Sequence, residues 1–80
     1  MSFPDHRAEA FAAELRCADG YIELGMMLDA NDVIEHLDPD LKTTVEVLER
    51  REKIYAGLNK PELLAVVRNA LARYYARRDE

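Results

Sequence analysis

The sequence predicts an all-α protein of four antiparallel helices, arranged as two stacked helical hairpins. Three observations point there. Apolar residues recur at helical spacing in four segments. Ala, Leu, Glu and Arg dominate, with only three Gly and three Pro in the chain. The breaks between segments are short and hold the residues that end helices: Gly25, Pro39, and Gly57 with Asn59. Short connections make successive helices antiparallel neighbours. Eighty residues suit one domain spanning residues 1–80. A plain four-helix bundle is the alternative architecture.

The first helix is expected over residues 5–24. Pro4-Asp5 opens it, with an acidic residue favoured in the first turn. Phe11, Leu15, Ala18 and Ile22 form one apolar row, and Cys17, Tyr21 and Leu24 a second beside it. Gly20 inside the helix reads as a close approach to a neighbouring helix, and Gly25 as the stop. The second helix, residues 29–37, takes Asp29 as N-cap and buries Ala30, Val33, Ile34 and Leu37. Pro39 ends it, because a proline disfavours helical geometry in the residue before it.

The third helix is expected over residues 42–57, capped by Thr43 or Thr44. Leu48, Tyr55 and Leu58 make one row, Val47 and Ile54 the next, and Glu49–Lys53 is an i, i+4 pair in the favourable order. The fourth helix, residues 60–78, has Asn59 as cap, with Glu62 at capping-box spacing. Leu63, Val67, Ala70, Leu71 and Tyr74 share one face, which Leu64 and Tyr75 widen. Arg77 and Arg78 suit the negative end of the helix dipole, and the end at Asp79-Glu80 is expected to fray.

Helices one and two can be laid over three and four at an offset of 33 residues, which puts Tyr21 on Ile54, Ala30 on Leu63, Ile34 on Val67 and Leu37 on Ala70. A helical hairpin repeating near 34 residues is the tetratricopeptide period. The stretch Gly20–Ala30 resembles the junction of a tetratricopeptide repeat, with Tyr21 as the aromatic of the first helix, Leu24-Gly25 ending it and Ala30 as the small residue of the second. The segment Leu37-Asp38-Pro39-Asp40-Leu41 is similar to the turn between repeats. The resemblance covers residues 8–76, about two repeats. It implies an α-solenoid whose first helices line a groove for a partner peptide, with Asp19, Ile22, Glu23, Leu48, Glu52 and Tyr55 as groove residues. That mixture suits apolar anchors and basic side chains.

No constellation for catalysis is visible, so a non-enzyme is expected. Ser2 is the only serine, and there is no glycine-rich phosphate loop. His6, Cys17 and His36 fit no zinc spacing, and Cys17 reads as a buried, inert thiol. Asp29, Asp32, Glu35, Asp38 and Asp40 lack the glycine and closing glutamate of a calcium loop and read as caps and solvated faces. No cofactor or metal is expected. Arg50-Arg51-Lys53 and Arg73-Arg77-Arg78 are basic clusters. The first alternates with Glu49 and Glu52 and reads as ion pairing. A net charge of −5 disfavours nucleic acid as a partner.

The N-terminus carries Asp5, His6 and Arg7 early and does not read as a signal peptide. No run approaches the roughly 20 apolar residues of a membrane span. With one cysteine, a reducing, cytoplasmic setting is the expectation. The fourth helix is apolar over more than one face, and repeat stacks need polar ends. Leu64, Leu71, Tyr74 and Tyr75 are therefore candidates for an association surface, with a homodimer as the expected state. The function this supports is a protein-interaction module, an adaptor or regulator. A helix-turn-helix nucleic-acid binder and a non-catalytic subunit of a larger complex are the alternatives.

Overall fold

The computed structural model describes residues 6–78. Among them are four α-helices and no strand: α1 His6–Glu23, α2 Met27–Glu35, α3 Val45–Gly57 and α4 Pro61–Arg78, with a 3-10 turn at Pro39–Leu41. The expected opening at Pro4-Asp5 and the frayed end at Asp79-Glu80 lie outside the described residues.

Both hairpins close on the same turn. The Met26 N–H donates to the Tyr21 carbonyl at 2.8 Å and the Gly25 N–H to the Ile22 carbonyl at 3.0 Å. The Lys60 N–H donates to the Tyr55 carbonyl at 3.0 Å and the Asn59 N–H to the Ala56 carbonyl at 3.3 Å. This is the Schellman pattern, which satisfies carbonyls left over at a helix end and needs a left-handed residue just past it. Gly25 supplies it at φ 76° and Asn59 at φ 56°. Of the two roles the sequence gives Asn59, it therefore closes α3 and does not cap α4, which begins at Pro61. After Gly, Asn is the residue that most often takes this conformation at a helix end. The turns, the ends of α1 and α3 and the starts of α2 and α4 all coincide at an offset of 34 residues, one more than side-chain matching suggested.

A β-branched residue at either position meets the left-handed penalty. Gly25→Val and Asn59→Val should each lower stability by about 1–2 kcal/mol, while Asn59→Gly should not. Urea midpoints followed by circular dichroism measure this.

The turn also moves the start of α2. Met26 is its N-cap and uses no side chain, so the helix begins at Met27 and Asp29 sits inside the first turn rather than capping it. The link from α2 to α3, residues 36–44, is longer than expected because Pro39 starts a 3-10 turn. Thr44 then caps α3, its Oγ1 accepting from the Val47 N–H at 3.4 Å, so α3 begins at Val45 and not at Lys42.

The core is Leu15 and Ala18 of α1, Ala30 and Ile34 of α2, Leu37 after it, and Val47 and Ile54 of α3. Ala18, Ala30, Ile34, Val47 and Ile54 are completely enclosed. α3 packs on both α1 and α2, whereas α4 packs chiefly on α3 and buries Val67 and Leu71 outside that core. The molecule is accordingly a flat slab, 47 × 36 × 19 Å.

Two expectations for α1 fail for one reason. Neighbours cover only the Leu15–Ala18 side, so Cys17 is exposed, Leu24 is 73% exposed, and nothing lies within 4 Å of a Cβ built on Gly20. The close approach is at Gly57 instead, where a Cβ would stand 2.7 Å from Cγ of Met27. Gly57 and Met27 belong to different hairpins, so this contact brings the two together.

Candidate functional site

α1, α3 and α4 enclose an open cleft of about 630 Å³. α1 contributes Asp19, Ile22 and Glu23 on successive helical positions of its inner side. α3 contributes Glu49, Arg50, Glu52 and Lys53. Arg68, Leu71, Ala72 and Tyr75 of α4 form the far wall. Four of the six expected groove residues, Asp19, Ile22, Glu23 and Glu52, are thus brought together. Leu48 and Tyr55 are not among them. Leu48 borders a shallow depression with Ala70 and Tyr74. The Tyr55 hydroxyl instead meets Arg51 at 2.6 Å.

The charges in the cleft are largely organised by ion pairs between helices. Arg50 makes a two-pronged bond to Asp19, from Nε to Oδ1 at 3.1 Å and from Nη2 to Oδ2 at 3.0 Å. Its third nitrogen donates to the Glu46 carbonyl at 3.1 Å, which fixes the guanidinium plane. Arg68 Nε donates to Glu52 at 3.2 Å. The Tyr75 hydroxyl donates to Glu49 at 2.9 Å, and that bond to an anion raises the phenol above its ordinary 10.0.

The i, i+4 pair Glu49–Lys53 does not form, because Glu49 is engaged by Tyr75 and lies 3.9 Å from Arg50. Lys53 of α3 and Glu23 of α1 take part in none of the ion pairs among the described residues. The cleft therefore offers one cation, one anion and the apolar surface of Ile22, Ala72 and Tyr75. Sequence reasoning misses Glu49, Arg50, Lys53, Arg68 and Ala72 as lining residues, and it gives Leu71 and Tyr75 to the association surface. No pattern within one helix reveals which residues of α4 lie opposite α1.

A second charged cluster joins the hairpins on the α2 side. Arg51, with its side chain only 12% exposed, donates to Glu35 at 3.1 Å. Its guanidinium lies 5.7 Å from the Tyr55 ring centre, and Lys42 approaches Glu35 at 3.5 Å. The Arg51 hydrogen bond, against some desolvation, holds the Glu35 carboxyl below its ordinary 4.5, aided by the charges of Arg51 and Lys42. Arg7 bonds to Asp40 and lowers that carboxyl below 3.8.

A carboxyl with a lowered folded pKa stabilises the fold above its unfolded value and loses that stabilisation as pH falls through the folded one. Melting temperature should therefore drop as pH is taken from about 5 to about 3, and less steeply in Glu35→Gln. Scans of both proteins by circular dichroism check this.

The four candidate association residues separate. Leu71 is 5% exposed against α3, and Leu64 is half-buried. Tyr75 stands in the cleft wall, edge-on to Tyr74 with ring centres 5.7 Å apart. Tyr74 alone is exposed outside the cleft. Leu63 and Val66, outside that set, are 46% and 65% exposed.

Both histidines are exposed. His36 Nδ1 lies 2.7 Å from the Asp32 carbonyl, and His6 lies 4.0 Å from Glu9. Among the described residues no three His, Cys, Asp or Glu side chains gather as a metal site. No described helix is long and apolar enough to cross a membrane. Of the basic clusters, Arg50 and Arg51 are engaged with Asp19 and Glu35, whereas Arg73, Arg77 and Arg78 lie exposed along α4. No protein family matches the chain, and no curated protein and no solved structure matches it either.

Proposed function

We propose that the protein is a non-enzymatic interaction module built like a pair of tetratricopeptide repeats, which seats a segment of a partner protein in the cleft between α1, α3 and α4. The observation that carries this reading is the cleft itself. Residues far apart in the chain, Ile22 and Glu23 of α1, Lys53 of α3 and Tyr75 of α4, line one open channel. The repeated turn at an offset of 34 residues supports the likeness to that repeat family.

The chemistry of the cleft selects the ligand. Ile22 and the Tyr75 ring offer apolar contact. Glu23 offers an uncommitted carboxylate at one wall and Lys53 an uncommitted ammonium between the walls. An extended or helical segment with an aliphatic anchor and a basic side chain fits the α1 wall, with an acidic side chain towards Lys53. The Arg50–Asp19 and Arg68–Glu52 pairs hold the walls in place and reduce the ordering cost of binding.

Nuclear magnetic resonance titration with synthetic peptides tests the reading. The probes are 12-residue peptides with a leucine anchor flanked by arginine and glutamate. Amide shifts should concentrate on α1, α3 and α4 around the cleft. Ile22→Glu with Glu23→Lys should weaken binding at least about tenfold without altering the helical signal. No shift at about 1 mM peptide, or shifts confined to other faces, would sink the proposal.

A further inference from the structure

α4 carries a second feature on a different face from the cleft. Leu63, Val66, Ala70 and Tyr74 recur at i, i+3, i+7 and i+11, a single stripe along the helix. Leu63, Val66 and Tyr74 are 46%, 65% and 39% exposed, and Ala70 is half-buried. No described residue covers the stripe.

The repeated turn shows that the hairpin architecture does not require it. At the 34-residue offset the equivalents on α2 and the link after it are Asp29, Asp32, His36 and Asp40, all polar and exposed. The same position in the same kind of hairpin is thus solvated in one copy and apolar in the other. Leu48 borders the apolar face and Glu14 stands in the equivalent place beside α2, so the exchange of polar for apolar extends to the preceding helix.

The charges around the stripe are arranged end to end. Glu62 stands at the N-terminal end of α4, and Arg73 and Arg77 stand in its C-terminal half. None of the three takes part in an ion pair with another described residue. A stripe that is acidic at one end, basic at the other and centred on a small residue matches itself when turned end for end. A foreign helix would need no such symmetry, whereas a twofold interface demands it.

We propose that α4 pairs antiparallel with α4 of a second copy, crossing at Ala70. At 1.5 Å per residue, Glu62 and Arg77 lie at heights above and below Ala70 that agree within about 2 Å. In this register Arg77 of the partner subunit lies across from Leu63 and beside Glu62, so its aliphatic stem covers Leu63 and its guanidinium meets Glu62, while Val66 meets Tyr74 of the partner subunit and Ala70 meets its own copy. Each unlike pair occurs twice. The small Ala70 side chain lets the two helices approach closely at the crossing. The cleft face of α4, with Arg68, Ala72 and Tyr75, points away from this contact and stays open, so the pairing stands or falls apart from peptide binding.

Sedimentation equilibrium on the full chain between about 10 and 300 μM tests it. A monomer–dimer equilibrium is expected. Val66→Glu should weaken it at least about tenfold while the far-ultraviolet signal stays helical, since Val66 touches little within its own chain. Glu62→Arg and Arg77→Glu should each weaken it about fivefold, and combining them should restore it. Ala70→Cys, in a Cys17→Ser background, should form a disulfide-linked dimer on oxidation. A monomer throughout the range overturns the proposal. So does a dimer indifferent to Val66→Glu, or one that the double charge exchange fails to restore.

Discussion

Leu71→Glu is expected to weaken the packing of α4 on α3 and to cost about 2–4 kcal/mol, because it replaces an enclosed apolar side chain with a carboxylate that must be desolvated to stay there. Leu71 is 5% exposed and is one of only two residues that α4 buries fully, the other being Val67. Urea unfolding should show a lower midpoint, and hydrogen exchange should show the amides of α4 losing protection first. Val66→Glu, five residues earlier on the same helix, is the control. Val66 is 65% exposed, so the same chemical change should leave the fold of the single chain within about 0.5 kcal/mol of the parent. Equal damage from the two changes would mean that α4 is sheltered on both sides by its own chain, contrary to the structure.

Ile54→Ala should cost about 2–5 kcal/mol, the range for removing a buried branched side chain and leaving a cavity. Ile54 is completely enclosed and lies on α3, the helix that touches both α1 and α2. Ile54 shares one core with Ala18, Ala30, Ile34 and Val47, all completely enclosed, so the removed methyl groups leave a void that no solvent-facing side chain can swing in to fill. A chain of this length has a total stability of roughly 4–12 kcal/mol. The substitution should therefore remove a large fraction of the total and move the denaturation midpoint well below that of the parent. Chemical denaturation followed by circular dichroism measures it, and a loss below about 1 kcal/mol would mean that α3 is not the central helix of the stack.

The turn predictions have a similar logic at smaller scale. Glycine at position 25 was legible because glycine is the commonest residue past a helix end. Asn59 was harder to read, since the same residue type also serves at helix starts, and the two roles compete within one short link. The φ of 56° decides between them. With Asn59 assigned to the end of α3, the repeat shifts from an offset of 33 to 34 residues. The earlier offset matched apolar residues with one another, but helices offer apolar matches at neighbouring offsets too. The backbone of the turn has no such ambiguity.

Helical content, the number of helices and their approximate limits were all present in the spacing of apolar residues and in the stop signals. These are local properties, set by 3.6-residue periodicity and by backbone conformations that few residues tolerate. The identity of the core was mostly legible too: Leu15, Ala18, Ala30, Ile34, Val47 and Ile54 lie on the rows that periodicity picks out. Which side of each helix meets which neighbour was not legible. An apolar row states that a face can be buried, and the packing of the other helices decides whether it is. Cys17 and Leu24 are exposed, Leu71 is enclosed, and Tyr75 faces Glu49 across the cleft for that reason alone. The ion pairs Asp19–Arg50 and Glu35–Arg51 join charges from different helices, and their partners became visible only once those helices were placed side by side.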